Sequence, residues 1–323
     1  MSDLNPILAV VIHCFLFLSG VTGNMFILIV HFVNWWKTRK ISPCDVIINC
    51  IVISNIALQG TILINEVCFF MFVTFYFQNR AVNALATVMS SLAFSSLWCS
   101  TCLCFYYCVK IVNVNGTFFY KLQARLKVIV TCLLALSIVM SWTVGLPAYW
   151  DLYLYMALTN ATYSGNVTHP TSYNIKSSCH CLFQVFMLFS SIAFTIVFIT
   201  AGTIVISLCR HMKRLQQTRE GFSNAKVSSH LSAARTVTFL LILYLAFYGA
   251  LNAIFNETTE IGTLMFSLCF IMISTFPTIN SIILITGNRK LSNAIKHLLG
   301  LKSSTDCAET KASHTRIEKQ TIC

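Results

Sequence analysis

The chain has 323 residues; 56% of them are hydrophobic, only 10% are charged, and the mean hydropathy is +0.74. A soluble domain must cover its surface with polar groups, so this composition excludes a soluble fold and indicates a membrane protein. The formal net charge of +12 is also typical of nucleic-acid-binding proteins, but the hydropathy argues against that class, and we predict no nucleic-acid partner.

Seven long apolar runs follow one another along the chain, and each has the roughly 20 residues that a helix needs to cross the hydrocarbon core of a membrane. They predict an all-α membrane protein, with a short segment 1–6 before a bundle of seven helices over residues 7–285. The predicted spans are 7–33, 46–72, 82–109, 128–150, 182–209, 236–255 and 261–285.

The third run, 82–109, is the one around which we expect the others to pack. It carries no charge before Lys110, yet Asn83 and several Ser and Thr residues are spread round it. A helix that faces lipid alone has no use for so many small polar groups. Between other helices they allow close approach, and their hydroxyls form hydrogen bonds across the interface. This pattern predicts a central helix.

The basic residues determine the predicted orientation. Apart from Arg80 and Lys176, every Lys and Arg follows the first, third or fifth span or lies in the C-terminal tail. Loops rich in Lys and Arg stay on the cytoplasmic side of a membrane. We therefore predict a multi-pass protein of the plasma membrane, with an extracellular N-terminus and a cytoplasmic C-terminus.

The segments between and after the spans carry further signals. The predicted extracellular loop 151–178 contains two Asn-X-Thr sequons, which predict glycosylation at Asn160 and Asn166. The basic inner segment 210–235 is either a topology determinant that binds anionic lipid or a docking surface for a cytosolic partner. Residues 286–301 have the apolar spacing of an amphipathic helix on the membrane surface, and the polar tail 302–323 is predicted to be disordered.

The sequence contains no motif for catalysis. We find no P-loop, HExxH, GxSxG or paired-carboxylate site, and we predict no enzyme activity, no cofactor and no metal. Charged residues are rare in the spans, whereas ion channels and proton-coupled transporters usually need more of them. Glu66, near the outer end of the second span, is either a ligand-binding carboxylate or a side chain that reaches the membrane interface.

Several short motifs occur in a fixed order along the predicted inner half of the bundle. They are SPCD at 42–45, IVISNIALQ at 51–59, YYCVKIVN at 106–113, SLCRH at 207–211, HLSAARTV at 230–237, and PTINS at 277–281 followed by LITGNRKL at 284–291. In this order they resemble the signatures of the bitter taste receptors (type 2 taste receptors). The sequence departs from the family at Asn55, where the family usually carries Arg, and at Asn280, where it usually carries His.

The resemblance implies a seven-helix G-protein-coupled receptor that detects bitter small molecules and activates a gustducin- or Gi-type heterotrimeric G protein. Two alternatives stay open at this point. A vomeronasal-type pheromone receptor is the nearest, and the motifs around Lys110 and His230 argue against it. A membrane transporter or channel is the alternative from another class.

Candidate site residues fall into two groups. The outer halves of the third, sixth and seventh spans offer apolar walls with a few hydroxyls, which suit varied amphipathic small molecules. The predicted ligand-binding residues are Glu66, Met89, Ser90, Ala93, Phe94, Leu97, Phe247, Tyr248, Leu251, Phe266 and Phe270. The predicted residues for conformational switching and G-protein coupling are Asn24, Asn55, Tyr107, Lys110, His211, His230, Asn280 and Ser281.

Overall fold

The structure is a computed structural model that describes residues 6–71, 80–112, 117–157, 172–177, 180–217, 224–255 and 263–300. The predicted glycosylation sites Asn160 and Asn166, most of the N-terminal segment and the predicted tail lie outside these residues. In chain order the elements are α1 (Pro6–Thr38), α2 (Pro43–Met71), α3 (Ala81–Ile111), α4 (Thr117–Ala124), α5 (Leu126–Gly145), α6 (Ala148–Asp151), β1 (Leu152–Ala157), β2 (Ser172–Ser177), α7 (His180–Gln217), α8 (Asn224–Phe255), α9 (Leu264–Gly287) and α10 (Arg289–Leu298).

Seven of the described helices, α1, α2, α3, α5, α7, α8 and α9, are long and apolar enough to cross a membrane. Their ends differ from the edges of the apolar runs because a helix satisfies its own backbone hydrogen bonds and continues into polar sequence. Thus α7 continues to Gln217 and α8 begins as early as Asn224. By contrast, α5 ends at Gly145, before Pro147, and α6 follows as a separate helix.

A two-stranded hairpin is the one departure from an all-helical chain among the described residues. Strands β1 and β2 pair antiparallel, with Leu152 opposite Ser177 and Ala157 opposite Ser172. The sequence prediction treated this segment only as a loop. Its alternation of Leu and Tyr from Leu152 to Tyr155 is typical of a strand, but four residues are too short for a clear period-two signal.

Helix α3 lies at the centre of the bundle, as predicted. It contacts α2, α5, α7 and α8, while α9 contacts both α1 and α8 and so closes the ring. In the most apolar stretch of α3, 67% of the residues are buried, against 22% in α1. We call the end of the bundle where α1 finishes and α2 begins the basic end, and the end where the hairpin lies the hairpin end.

Two glycines allow neighbouring helices to approach closely. A Cβ atom at Gly145 of α5 would overlap the Ser91 hydroxyl of α3. A Cβ atom at Gly287, the last residue of α9, would overlap the Thr236 side chain of α8. The absence of a side chain at these two positions therefore sets the spacing of α3 from α5, and of α8 from α9 at the basic end.

Candidate functional site

A pocket lies between α3, α7 and α8 in the half of the bundle nearer the hairpin end. It is a small, partly open space between the packed helices. Its lining residues are Ser90, Ala93, Phe94, Phe186, Met187, Ser190, Phe247, Tyr248 and Leu251.

Helical periodicity explains why these residues share one space. Residues three or four apart lie on the same face of a helix, which groups Ser90, Ala93 and Phe94 on α3. The same spacing groups 186–190 on α7 and 247–251 on α8. Each helix therefore contributes one short, nearly continuous stripe to the pocket.

Aromatic contacts hold the α3 and α7 walls together. The ring of Phe94 lies 5.2 Å from that of Phe186 and 6.0 Å from that of Phe189, centroid to centroid. One turn further along α3, Trp98 lies 4.7 Å from Phe189. Tilted and edge-on pairs of this kind add to the stabilisation from buried area, so they strengthen the packing of α3 on α7 beside the pocket.

The polar groups of the pocket are uncharged hydroxyls. Tyr248 OH lies 3.2 Å from Ser191 Oγ, a hydrogen bond that joins α8 to α7 beside the pocket. Ser90 donates to the Thr87 carbonyl at 3.0 Å, and Ser190 is only 7% exposed. Because none of the described lining residues is charged, the pocket favours neutral or weakly polar molecules over strongly charged ones.

The inner wall of the pocket contacts the middle of α9. The ring of Phe247 lies 4.6 Å from that of Phe276, and Tyr244, one turn back on α8, lies 5.9 Å from the same ring. Phe276 is fully buried and immediately precedes Pro277. Phe247 therefore links the pocket to α9 next to its internal proline.

Five of the predicted ligand-binding residues do not line this pocket. On α3, Leu97 belongs to the buried core, and Met89 is partly buried and packs against that core. On α9, Phe270 meets the His13 ring edge-on at 5.3 Å and stacks on Phe266 at 6.1 Å. The fifth, Glu66, is half-buried on α2.

The structure instead supplies the third wall from α7, with Phe186, Met187 and Ser190, which sequence reasoning missed. Phenylalanines at 183, 186 and 189 form a helical stripe that could have indicated this wall. Such a stripe is equally typical of ordinary packing, so the sequence alone does not distinguish the two.

A buried polar layer crosses the middle of the bundle and joins four helices. Ser96 of α3 donates to Asn55 Oδ1 of α2 at 2.6 Å, and Asn55 Nδ2 donates to Asn24 Oδ1 of α1 at 3.5 Å. Asn280 Nδ2 of α9 donates to Ser96 Oγ at 3.5 Å. All four side chains are fully buried. Three of the predicted switch residues therefore meet in one network.

Asn24 extends this layer to the backbone. Its amide donates to the Gly20 carbonyl at 2.8 Å and to the Pro277 carbonyl at 3.4 Å. The layer therefore depends on the position of the proline in α9, next to Phe276. Another predicted switch residue, Ser281, lies one turn beyond and donates to the Thr278 carbonyl at 2.8 Å.

A second polar layer lies one turn closer to the hairpin end. Gln59 Nε2 of α2 donates to Thr278 Oγ1 of α9 at 2.9 Å and to the Leu16 carbonyl of α1 at 3.3 Å. Thr278 Oγ1 donates to the same carbonyl at 3.1 Å. Gly20 leaves room for this arrangement, because a Cβ atom there would overlap Gln59 Nε2.

At the basic end, polar contacts around Asp45 connect α1, α2 and α10. Lys290 Nζ lies 3.2 Å from Asp45 Oδ2. His31 Nε2 lies 3.4 Å from Asp45 Oδ1, but the geometry at His31 Nε2 is not that of a hydrogen bond. His31 Nδ1 is 2.6 Å from Asn49 Oδ1. The amphipathic helix α10 is thereby attached to the start of α2.

The remaining predicted coupling residues lie at the same end. Cys44 Sγ donates to Tyr107 OH at 3.7 Å. Lys110 Nζ donates to Tyr106 OH at 3.2 Å and lies 5.4 Å from that ring centroid. His211 and His230 belong to the helical backbones of α7 and α8, but their side chains lie outside the described part of the structure.

Comparison with known proteins identifies relatives along nearly the whole chain. A family model described as "Taste receptor protein (TAS2R)" matches residues 1–303. Taste receptor type 2 member 9 of Pongo pygmaeus is 27% identical over 282 residues, which cover 87% of this chain and 89% of that protein. Taste receptor type 2 member 39 of Homo sapiens is 28% identical over 300 residues, covering 92% and 88%.

Proposed function

Because the chain belongs to the taste receptor family TAS2R and has seven helices able to cross a membrane, we propose that it binds bitter small molecules between α3, α7 and α8. Binding there activates a gustducin- or Gi-type heterotrimeric G protein on the cytoplasmic side. The family match favours this function over the vomeronasal-type receptor and the transporter or channel considered above.

The pocket is the observation that carries this proposal. It is uncharged and lined mostly by apolar and aromatic side chains, which suits modest-affinity binding of varied amphipathic compounds. Of its three walls, α3 is central to the bundle and α8 packs closely on α9 through Gly287. A ligand in this position therefore contacts α8 directly and is one aromatic contact away from α9, through Phe247 and Phe276.

Activation in this proposal is a movement of α8 away from α9 at the basic end. The movement separates Thr236 from Gly287 and opens a surface that includes Tyr107 and Lys110 to the Gα subunit. A ligand shifts this equilibrium only if it binds the open state more tightly than the closed one. Phe247 packs on Phe276, and Phe276 moves with α9. The position of Phe247 therefore differs between the two states, so a ligand that contacts Phe247 can bind one state more tightly.

A tryptophan in the α3 wall tests the ligand site. Ala93 lines the pocket and is 7% exposed, so Ala93→Trp fills the space a ligand needs. In cells that co-express single Gα subunits, a panel of bitter compounds should first yield an agonist of the wild-type receptor. We expect Ala93→Trp to lower the potency of that agonist at least about tenfold, equivalent to about 1.4 kcal/mol.

The matched control is Ala84→Trp, which adds the same side chain to an exposed position of α3. It should leave potency within about twofold of wild type, well inside the effect of one lost contact. Both variants are compared at equal cell-surface level. Unchanged potency in Ala93→Trp would place the ligand elsewhere, and a response that is independent of every Gα subunit tested would exclude the coupling.

The proposed orientation is tested by epitope tags. A tag at the C-terminus should bind antibody only after cells are permeabilised, whereas a tag at the N-terminus should bind antibody on intact cells. The reason is the concentration of Lys and Arg in the segments after the first, third and fifth spans and in the tail. Labelling of the C-terminal tag on intact cells would reverse the topology and contradict G-protein coupling at the basic end.

A further inference from the structure

The basic end of α1 carries an aromatic and cationic cluster that the proposed receptor function does not use. The rings of Phe32, Trp35 and Trp36 lie 5.9–6.5 Å apart, centroid to centroid. The guanidinium carbon of Arg39 lies 5.2 Å from the ring centroid of Trp35 and 4.8 Å from that of Trp36. Arg39 is therefore held against two indole rings at once, at distances typical of cation–π contacts.

The backbone of Arg39 produces this arrangement. Its φ is 53°, and it is the only non-glycine residue with a positive φ in the described part of the chain. The left-handed conformation ends a helix, and here the Arg39 N–H donates to the Trp35 carbonyl at 2.7 Å. A residue other than glycine or asparagine rarely adopts this conformation, so the contacts of its side chain with the indoles help to compensate for it.

The cluster lies at the end of the apolar stretch of α1, where a membrane-crossing helix reaches the lipid headgroups. The membrane-crossing stretch of α1 ends at Thr38, so Arg39 is the first residue beyond it. Phe32 and Trp36 are 57% and 60% exposed, which places apolar rings next to lipid just below the guanidinium. Tryptophan is enriched at this boundary because its ring is apolar while its N–H is polar.

The charge of Arg39 is available to a ligand. Among the described residues, Asp45 forms an ion pair with Lys290 and lies close to His31, and Arg39 has no carboxylate partner there. The exposed Lys37 and Lys40 flank it, so three positive charges lie within four residues. A stacked guanidinium keeps the N–H groups on its edge free for a bidentate hydrogen bond to a phosphate.

We propose that Arg39, Trp35 and Trp36 form a binding site for the phosphate group of an anionic phospholipid in the leaflet at the basic end. The indoles hold the guanidinium in place before the lipid arrives, which lowers the entropy lost on binding. Lys37 and Lys40 favour a headgroup with net negative charge over a zwitterionic one. In the orientation proposed above, this is the cytoplasmic leaflet, which contains most of the anionic lipid of a plasma membrane.

The test measures which lipids stay with the protein. The full chain is reconstituted in nanodiscs of equimolar phosphatidylcholine and phosphatidylglycerol, released, and analysed for retained lipid by native mass spectrometry. Wild type should retain phosphatidylglycerol in excess over phosphatidylcholine. Arg39→Ala should lower that ratio about tenfold, the effect of one lost charge-assisted contact.

Two further variants separate a defined site from diffuse attraction. Lys37→Ala removes the same charge from a side chain that makes no indole contact, and it should lower the ratio less than threefold. Trp36→Ala keeps every charge but removes one stacked ring, and it should lower the ratio nearly as much as Arg39→Ala. Equal losses in Arg39→Ala and Lys37→Ala, or an unchanged ratio in Trp36→Ala, would overturn the site. Trp36→Ala also provides the test if Arg39→Ala does not fold.

Discussion

Gly20→Ala should remove most of the protein from the cell surface, because a single Cβ atom there overlaps the amide nitrogen of Gln59. That nitrogen bonds Thr278 and the Leu16 carbonyl, and Gln59 is only 3% exposed, so its side chain has no water to move into. Overpacking combined with the loss of a buried hydrogen bond costs about 2–4 kcal/mol. We expect the apparent melting temperature of the solubilised protein to fall by about 5–15 °C.

Gly60→Ala is the matched control for Gly20→Ala. It makes the same chemical change on α2, next to Gln59, where nothing lies within 4 Å of the new Cβ atom. Alanine is the better helix former by about 1 kcal/mol, so Gly60→Ala should leave the melting temperature unchanged or raise it slightly. If Gly20→Ala behaves in the same way as Gly60→Ala, α1 and α2 do not approach as closely as described here.

Asn55→Leu should abolish the agonist response and lower the melting temperature. Asn55 is the centre of the polar layer: it accepts a hydrogen bond from Ser96 at 2.6 Å and donates one to Asn24 at 3.5 Å. Leucine has a similar volume but no polar atom, so it leaves Ser96 and Asn24 buried without these partners. Each buried polar group left in this way lowers the stability of the fold by about 1–3 kcal/mol. The substitution therefore weakens the packing of α2 against both α3 and α1.

The control for Asn55→Leu is Ser54→Leu, at a half-buried neighbouring position that takes no part in the hydrogen bonds of the layer. It should keep most of the surface level and the agonist response. The decisive measurement is the response to a fixed agonist at matched surface level, with the melting temperature recorded separately. A full response in Asn55→Leu would show that the layer has only a structural role, or none.

The polar layer also bears on the departures from the family at Asn55 and Asn280. With two amides at these positions, helices α1, α2, α3 and α9 are joined by neutral hydrogen bonds between fully buried side chains. Neutral groups avoid the desolvation that a buried Arg or His⁺ would incur. The Asn280 Oδ1 atom is buried without a hydrogen-bond partner in the described part of the structure.

Hydropathy and charge determined the class of fold, because these signals are sums over many residues. Twenty consecutive apolar residues have few alternatives to a membrane helix, and the hydroxyl-rich third span already indicated that α3 would be central. The short motifs from SPCD at 42–45 to LITGNRKL at 284–291 indicated the family, and the family match over residues 1–303 confirmed it. None of these inferences requires knowledge of which side chains touch.

Only the tertiary structure decided which residues meet. The sequence predicted Asn24, Asn55 and Asn280 as switch residues, but Ser96 as the shared partner of Asn55 and Asn280 depends on how α2, α3 and α9 are rotated. The pocket wall from α7, with Phe186 and Ser190, was missed for the same reason. An apolar helix in a bundle is hydrophobic on both its lipid-facing and its buried sides, so its sequence does not fix its rotation, and close packing with its neighbours does.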